Sequence, residues 1–181
     1  MNLKYPFIRA KEKIELELIK RKLNNANLTT KLPSFFILSS GRSGSTLLRK
    51  ILVDNFDVYI PPETNDLLIQ SARLFFLSRS TWEEKVDQLI DLIKIMKLPE
   101  FCDINYNTLQ KDLLSLPIDK RGYYNSIEIV YKSLVPEGLF HSIIGDKTPF
   151  LILRSNWLLT LFPEAKFIYI IHHRYHRLIL K

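Results

Sequence analysis

Residues 35–48 join an apolar run, a turn of small residues and a second apolar run, and this combination restricts the fold more than any other feature of the chain. The first run predicts a buried strand and the second predicts a helix. Gly41 and Gly44 allow several backbone N–H groups to converge at the helix N-terminus, where the helix dipole favours negative charge. The segment therefore predicts a strand, an anion-binding loop and a helix.

Side chains of the same loop also suit an anion. The Arg42 guanidinium is a planar fork of donors that matches phosphate or sulfate, and neighbouring hydroxyls add further donors. The alternative is that glycine and serine only form a turn between a strand and a helix. The buried strand, the arginine and the hydroxyl groups together favour anion binding. The predicted binding residues are Gly41, Arg42, Ser43, Gly44, Ser45 and Thr46.

The kind of anion follows from a comparison with the nucleotide-binding loop Gly-x-x-x-x-Gly-Lys-Ser/Thr. Ser45 stands where that loop has its lysine, immediately before Thr46. A magnesium-binding acid is also hard to assign, because Asp146, after an apolar run, is followed at once by Lys147. The loop therefore fits a phosphosulfate better than ATP with magnesium. A P-loop nucleotide kinase or hydrolase remains the alternative.

Four segments resemble the sulfotransferase family in content and order. They are Ser-Gly-Arg-Ser-Gly-Ser-Thr at 40–46, Pro-Pro-Glu-Thr at 61–64, Gly-Asp-Lys-Thr-Pro at 145–149 and Phe-Pro-Glu-Ala-Lys-Phe-Ile at 162–168. The resemblance extends from about Pro33 to Ile171. It is closer to the branch that contains protein-tyrosine and related bacterial-type sulfotransferases than to the small-molecule cytosolic enzymes.

The resemblance implies a donor, an acceptor and roles for individual residues. The donor is 3′-phosphoadenosine-5′-phosphosulfate (PAPS), whose 5′-phosphosulfate the loop at 41–46 would grip, and the acceptor is a hydroxyl group. Glu63 matches the general base, and Lys147 matches the lysine that steadies the transferring sulfuryl group. In-line sulfuryl transfer requires a protein mainly to hold the donor and the acceptor in position and to neutralise developing charge. Arg42, Lys147 and loop amides can do this without a metal.

Each of these residues also has a plainer interpretation. Glu63 follows two prolines and could cap the helix predicted at 65–76, where an acidic residue is favourable in any case. Lys147 could be a solvated loop lysine. His141 is expected to be structural or exposed rather than catalytic.

Alternating apolar runs and amphipathic segments predict an α/β fold, specifically a three-layer, P-loop-NTPase-like parallel sheet flanked by helices. Strands are expected at 35–39, 58–60, 142–145 and 165–171, the last covered on both faces. Helices are expected at 12–23, after the capping box at 81–84, at 122–135 and at 150–161. We divide the chain into an N-terminal amphipathic helix and linker at 1–33 and a sulfotransferase-like domain at 34–181.

Ligands of parallel sheets bind beyond the carboxyl ends of the strands. Gly41, Glu63 and Lys147 each follow a predicted strand, so we expect them to share one crevice. The acceptor pocket is expected within residues 66–136. The sequence specifies neither the acceptor nor the oligomeric state.

Composition agrees with this interpretation. The net charge of +7 favours an anionic ligand, and because the basic residues are scattered we expect no nucleic-acid partner. Cys102 is the only cysteine, which excludes an intrachain disulfide. The sequence has neither the apolar core of a signal peptide nor a run long enough to cross a bilayer, so we expect a cytoplasmic protein without a membrane span.

The resemblance weakens after Ile171. The family has an arginine and a serine that hold the 3′-phosphate of the donor, whereas His172 and Leu180 stand at those positions and the intervening proline is missing. We therefore expect an incomplete C-terminus, either truncated or frameshifted. Either Arg174 and the adjacent histidines replace the missing contacts, or they form a solvated tail. A truncated, non-catalytic remnant is a further alternative to an active enzyme.

Overall fold

The computed structural model describes residues 4–24, 32–41, 43–96, 104–136 and 143–171. The helices in these ranges are α1 (Lys4–Asn24), α2 (Ser45–Asn55), α3 (Leu67–Leu77), α4 (Trp82–Ile95), α5 (Tyr106–Leu114), α6 (Tyr123–Ser133) and α7 (Ser155–Leu161). The strands are β1 (Phe35–Ser39), β2 (Val58–Tyr59), β3 (Ile143–Lys147) and β4 (Lys166–Ile170). Two 3₁₀ helices cover Ile118–Lys120 and Pro149–Arg154.

The four strands form one sheet in the order β2-β3-β1-β4, and every neighbouring pair is parallel. Phe36 of β1 lies opposite Asp146 of β3 on one side and Phe167 of β4 on the other. Helices flank the sheet, so the predicted α/β fold is confirmed. Because the strands are parallel, the segments that follow β1, β2 and β3 leave the sheet at the same edge.

Alternating residues of β1 point to opposite faces of the sheet. Phe36 and Leu38 are fully buried in the main hydrophobic core, to which α1 and α3–α7 contribute. Phe36 stacks on Phe167, with ring centroids 5.4 Å apart. Ile37 points the other way and is also fully buried. Helix α2 lies against β1, β2 and β3 and so covers this second face.

Helix α1 packs against α3 and α7. In the part of α1 whose burial is described, residues 10–24, Leu16 and Ile19 are buried, whereas Ile14 and Leu18 are exposed. The helix predicted at 12–23 is present but begins earlier, at Lys4, and its apolar face is narrow. Arg73 of α3 donates to Glu15 at 2.9 Å and lies 3.4 Å from Glu12. Apolar packing and ion pairs thus both attach α1 to the rest of the fold.

Helix α4 begins as its sequence predicts. The Glu84 N–H donates to the Thr81 side chain at 3.3 Å, and the Glu84 carboxylate accepts from the Thr81 N–H at 2.8 Å. This reciprocal capping box satisfies two N–H groups that the helix leaves free. The capping box predicted at 81–84 is confirmed.

Three expectations about individual elements need correction. Strand β3 runs to Lys147 rather than ending at residue 145. The helix expected at 150–161 is a 3₁₀ helix over Pro149–Arg154 followed by α7. Strand β4 is not covered on both faces: it lies at the end of the sheet, and Ile168 and Tyr169 are exposed.

Helix α5 was not among the predicted elements. Asn105 caps it by accepting from the Thr108 N–H at 3.0 Å, and Leu109 and Leu113 are buried one turn apart. The capping asparagine and the two apolar residues can be seen in the sequence, but together they cover only about two turns of a helix. The linker predicted before Pro33 lies largely outside the described residues.

Gly145 allows β1 and β3 to pair closely. A Cβ atom built on Gly145 would lie 2.3 Å from the nearest ring carbon of Phe35, its cross-strand partner in the register of β1 and β3. That separation is far shorter than any real carbon contact. The ring of Phe35 therefore occupies the space that a side chain at position 145 would need.

We expect Gly145→Ala to lower the free energy of unfolding by about 1–3 kcal/mol, because the Phe35 ring must leave its rotamer. Urea unfolding of the variant checks this value. In a Phe35→Ala background the same substitution should cost much less, since the ring is gone. An equal loss in both backgrounds would contradict the proposed clash.

Candidate active site

The loop between β1 and α2 has the backbone conformation that its glycines predict. Gly44 adopts φ 83° and ψ 9°, a left-handed conformation that favours glycine, and α2 begins at the next residue. The first α-helical hydrogen bond runs from the Leu48 N–H to the Gly44 carbonyl at 3.0 Å. N–H groups of the first turn of α2 therefore have no partner within the helix and are free to bind an anion.

A cleft of about 460 Å³ lies at the start of α2. Its lining residues are Gly41, Ser43, Gly44, Ser45, Thr46, Leu47, Glu63 and Pro149. Ser39 Oγ, at the end of β1, and Ser43 Oγ, in the loop itself, are both buried. Neither has a hydrogen-bond partner among the described residues. A buried hydroxyl without a partner is costly, which is expected where a ligand supplies the missing contact.

Lys147 is the last residue of β3, and its side chain is only 5% exposed. Its Nζ donates to Glu63 Oε1 at 2.8 Å and to Thr46 Oγ1 at 3.4 Å. Lys147 is therefore not a solvated loop lysine. Lys147 thereby connects Glu63, in the segment after β2, with Thr46, in the first turn of α2. Each contact joins residues more than 80 positions apart in the sequence.

Glu63 lies in the segment that connects β2 to α3. Its side chain is 43% exposed, so one carboxylate oxygen binds Lys147 while the group still faces solvent. Asp66, not Glu63, is the N-cap residue of α3. Arg49 of α2 also contacts this segment, by donating to the Ile60 carbonyl at 2.7 Å. The capping alternative for Glu63 is therefore wrong, and its observed partner is Lys147.

Lys147 lies beside a loop that lacks the usual lysine. A nucleotide-binding loop carries its lysine immediately before the Ser/Thr. Here Ser45 occupies that position, and Lys147 brings an ammonium group to Thr46 from the neighbouring strand. A positive charge is thus present beside the loop although the loop lacks the usual lysine.

The family model described as "Sulfotransferase family" matches residues 33–179. The chain belongs to the sulfotransferase family. The match begins at Pro33, as the motifs indicate, and continues beyond Ile171. No curated protein and no solved structure matches this sulfotransferase significantly.

Several residues named from the sequence lie outside the described part of this sulfotransferase. These are Arg42, His141, His172, His173 and Arg174. Within the described part, no helix is long and apolar enough to cross a membrane, and no three His, Cys, Asp or Glu side chains are grouped as metal ligands would be. The predicted roles of Gly41, Glu63 and Lys147 stay predictions. Gly41 and Glu63 line the cleft, and Lys147 contacts Glu63.

Four buried polar side chains lie next to the candidate catalytic residues, and sequence reasoning did not single them out as a group. They are Thr64, Tyr131, Asp146 and Thr148, here called the buried polar cluster. Asp146 Oδ2 accepts from Thr64 Oγ1 and from the Tyr131 hydroxyl, each at 2.5 Å. Thr148 Oγ1 accepts from the Thr64 N–H at 3.0 Å.

The charge state of Asp146 reflects this environment. Burial raises the pKa of the Asp146 carboxyl above its ordinary value of 3.8, and hydrogen bonds from Thr64 and Tyr131 oppose part of that rise. Burial also raises the pKa of Tyr131 well above 10, so the phenol remains a hydrogen-bond donor. The carboxyl group thus binds its proton more tightly in the folded sulfotransferase than in the unfolded chain.

This shift predicts how stability depends on pH. A folded-state pKa above 3.8 means that Asp146 favours folding at low pH, and that this contribution falls as the pH rises from 3.8 through the raised pKa. We therefore expect the unfolding free energy of Asp146→Asn, minus that of the wild type, to increase with pH over this window. Urea unfolding at a series of pH values gives the difference. A difference that is flat or decreases with pH would contradict the assignment.

Proposed function

We propose that this sulfotransferase transfers a sulfuryl group from PAPS to a hydroxyl acceptor, with Glu63 as the general base and Lys147 as the group that steadies the sulfuryl. The observation that carries the proposal is the contact of Lys147 Nζ with both Glu63 Oε1 and Thr46 Oγ1, at 2.8 and 3.4 Å. One ammonium group thereby adjoins a carboxylate and an anion-binding loop, the two features that sulfuryl transfer from a nucleotide requires.

The loop fits the 5′-phosphosulfate of the donor. Free N–H groups at the start of α2, the left-handed Gly44 and the Ser43 hydroxyl, which has no partner among the described residues, are complementary to an anion with several acceptor oxygens. A Cβ atom on Gly41 or Gly44 would meet nothing within 4 Å, so the loop leaves open space beside its backbone. Arg42 would add a guanidinium fork to the same oxygens.

The reaction transfers an activated sulfate. The bond between sulfur and the bridging phosphate oxygen breaks as the bond from sulfur to the acceptor oxygen forms. Lys147 would stabilise negative charge that develops on the bridging and sulfuryl oxygens. Glu63 would accept the proton that the acceptor hydroxyl loses. The products are a sulfate ester, adenosine 3′,5′-bisphosphate and a proton held first by Glu63.

The exposure of the two residues matches these roles. Lys147 is almost fully buried and contacts two residues that line the cleft, Glu63 and Thr46, so its ammonium group would face the donor rather than solvent. Glu63 remains 43% exposed, which leaves its second carboxylate oxygen available to an acceptor from solvent. We also propose, from the sequence motifs, that the chain belongs to the branch containing protein-tyrosine and related bacterial-type enzymes.

Glu63→Gln tests the base. We expect kcat to fall by about 10²–10⁴-fold, because the amide cannot accept the acceptor proton. The assay measures release of adenosine 3′,5′-bisphosphate from PAPS with a panel of hydroxyl acceptors. Glu164→Gln, which removes an exposed carboxylate just before β4, is the matched control and should retain the wild-type rate.

Calorimetry with adenosine 3′,5′-bisphosphate separates binding from catalysis. Glu63→Gln should bind no more weakly than the wild type, whereas Arg42→Ala should bind about tenfold or more weakly because it loses charge-assisted hydrogen bonds. Absence of binding to the intact protein would remove the proposal. Magnesium-dependent binding of ATP, abolished by Thr46→Ala, would replace it with a nucleotide kinase or hydrolase.

A further inference from the structure

The buried polar cluster alternates in sequence with the candidate catalytic residues. Asp146 and Thr148 flank Lys147 on the chain, and Thr64 directly follows Glu63. The hydrogen bonds from Thr64 to Asp146 of β3 and to Thr148, the residue after β3, span 82 and 84 residues of sequence. They therefore fasten the segment that carries Glu63 to the end of the strand that carries Lys147.

Asp146 and Lys147 are neighbours in β3 and therefore lie on opposite faces of the sheet. Successive side chains of a strand point to opposite faces. Asp146 points toward α6, where it accepts from the Tyr131 hydroxyl, and Lys147 points to the face that carries α2 and the cleft. An anchor on Asp146 thus restrains the backbone of Lys147 without occupying the cleft.

The burial of the cluster is unusual for polar groups. Thr64, Tyr131 and Asp146 are fully buried, and Thr148 is 2% exposed. A buried carboxyl is weak support for stability even when it is hydrogen-bonded, because desolvation offsets much of what its hydrogen bonds contribute. A positional role explains why such a costly group lies beside Lys147.

We propose that the buried polar cluster is a positioning device that holds Glu63 and Lys147 at their contact distance, with Tyr131 as the member that α6 contributes. None of the four residues lines the cleft, so they act through Glu63 and Lys147 rather than on the donor or acceptor. The proposal rests on the function proposed above for those two residues. Its geometric content, the restraint on Lys147, can be tested without any activity.

Helix α6 offers a matched control. Tyr124 is also buried on α6, and its hydroxyl donates to the Leu161 carbonyl at 2.8 Å, away from the cleft. Tyr131→Phe and Tyr124→Phe each remove one buried phenolic hydroxyl that donates one short hydrogen bond. A purely structural role for Tyr131 therefore predicts similar effects of the two substitutions on every property.

The first test measures the accessibility of Lys147 by competitive acetylation with acetic anhydride and mass spectrometry. Lys147 should react slowly in the wild type, because its side chain is 5% exposed. We expect Tyr131→Phe and Thr64→Val to raise its acetylation rate several-fold relative to other lysines, while Tyr124→Phe leaves it unchanged. Thr64→Ser, which keeps the hydroxyl, should restore the wild-type rate. Equal rates in all variants would overturn the proposal.

The second test uses the transfer reaction with PAPS. Tyr131→Phe should lower kcat roughly ten- to a hundredfold, as expected when reacting groups are displaced by about 1 Å, with little change in the KM for PAPS. Tyr124→Phe should keep the wild-type kcat although thermal unfolding shows a similar loss of stability. Equal kcat values for the two variants would overturn the positioning role.

The two tests distinguish failure of this proposal from failure of the proposed function. If the wild type transfers no sulfate but Lys147 becomes reactive in Tyr131→Phe, the cluster positions the lysine and the enzymatic function is wrong. If transfer is measured and the two tyrosine variants behave alike, the function stands and the positioning role is wrong.

Discussion

Strand β3 pairs in parallel with β1 on one side and with β2 on the other, and the candidate active site depends on this double pairing. Lys147 lies opposite Ile37, the middle residue of β1, and its side chain reaches Thr46 in the first turn of α2. Tyr59 lies opposite Ile144, so the chain leaving β2 runs beside the last residues of β3. Without β3 between them, the anion-binding loop and Glu63 would have no common neighbour.

The contact between Lys147 and Glu63 is an ion pair with unequal exposure. The ammonium is almost buried, whereas the carboxylate remains 43% exposed. Because the carboxylate is still partly solvated, the attraction between the two charges is screened, and the contact locates the segment after β2 more than it stabilises the fold. The ammonium group of Lys147 thus lies beside the first turn of α2 although the lysine belongs to a neighbouring strand.

Much of the site could be predicted because its signals are local or follow from topology. The loop and the start of α2 are encoded in contiguous residues around Gly44. The shared crevice of Glu63 and Lys147 follows from a general property of parallel sheets, whose strand ends lie at one edge. The family motifs indicated the sulfotransferase family, and the family match confirms it.

The rest depended on contacts between distant residues. Asp146 was considered from sequence only as a poor magnesium ligand, because its partners Thr64 and Tyr131 are not adjacent to it in the chain. The apolar run at 165–171 is typical of a buried strand, but the order of strands, which periodicity does not specify, places β4 at the end of the sheet. Likewise, the length of β3 is decided by pairing with β1 rather than by its own composition.

A crystal structure of the protein with adenosine 3′,5′-bisphosphate would show directly where the donor binds. We expect the 5′-phosphate in the cleft at the start of α2, hydrogen-bonded to the first N–H groups of that helix and to Lys147 Nζ, with Glu63 facing the opening. A nucleotide bound elsewhere, with Lys147 still in contact only with Glu63 and Thr46, would rule out the proposed donor site.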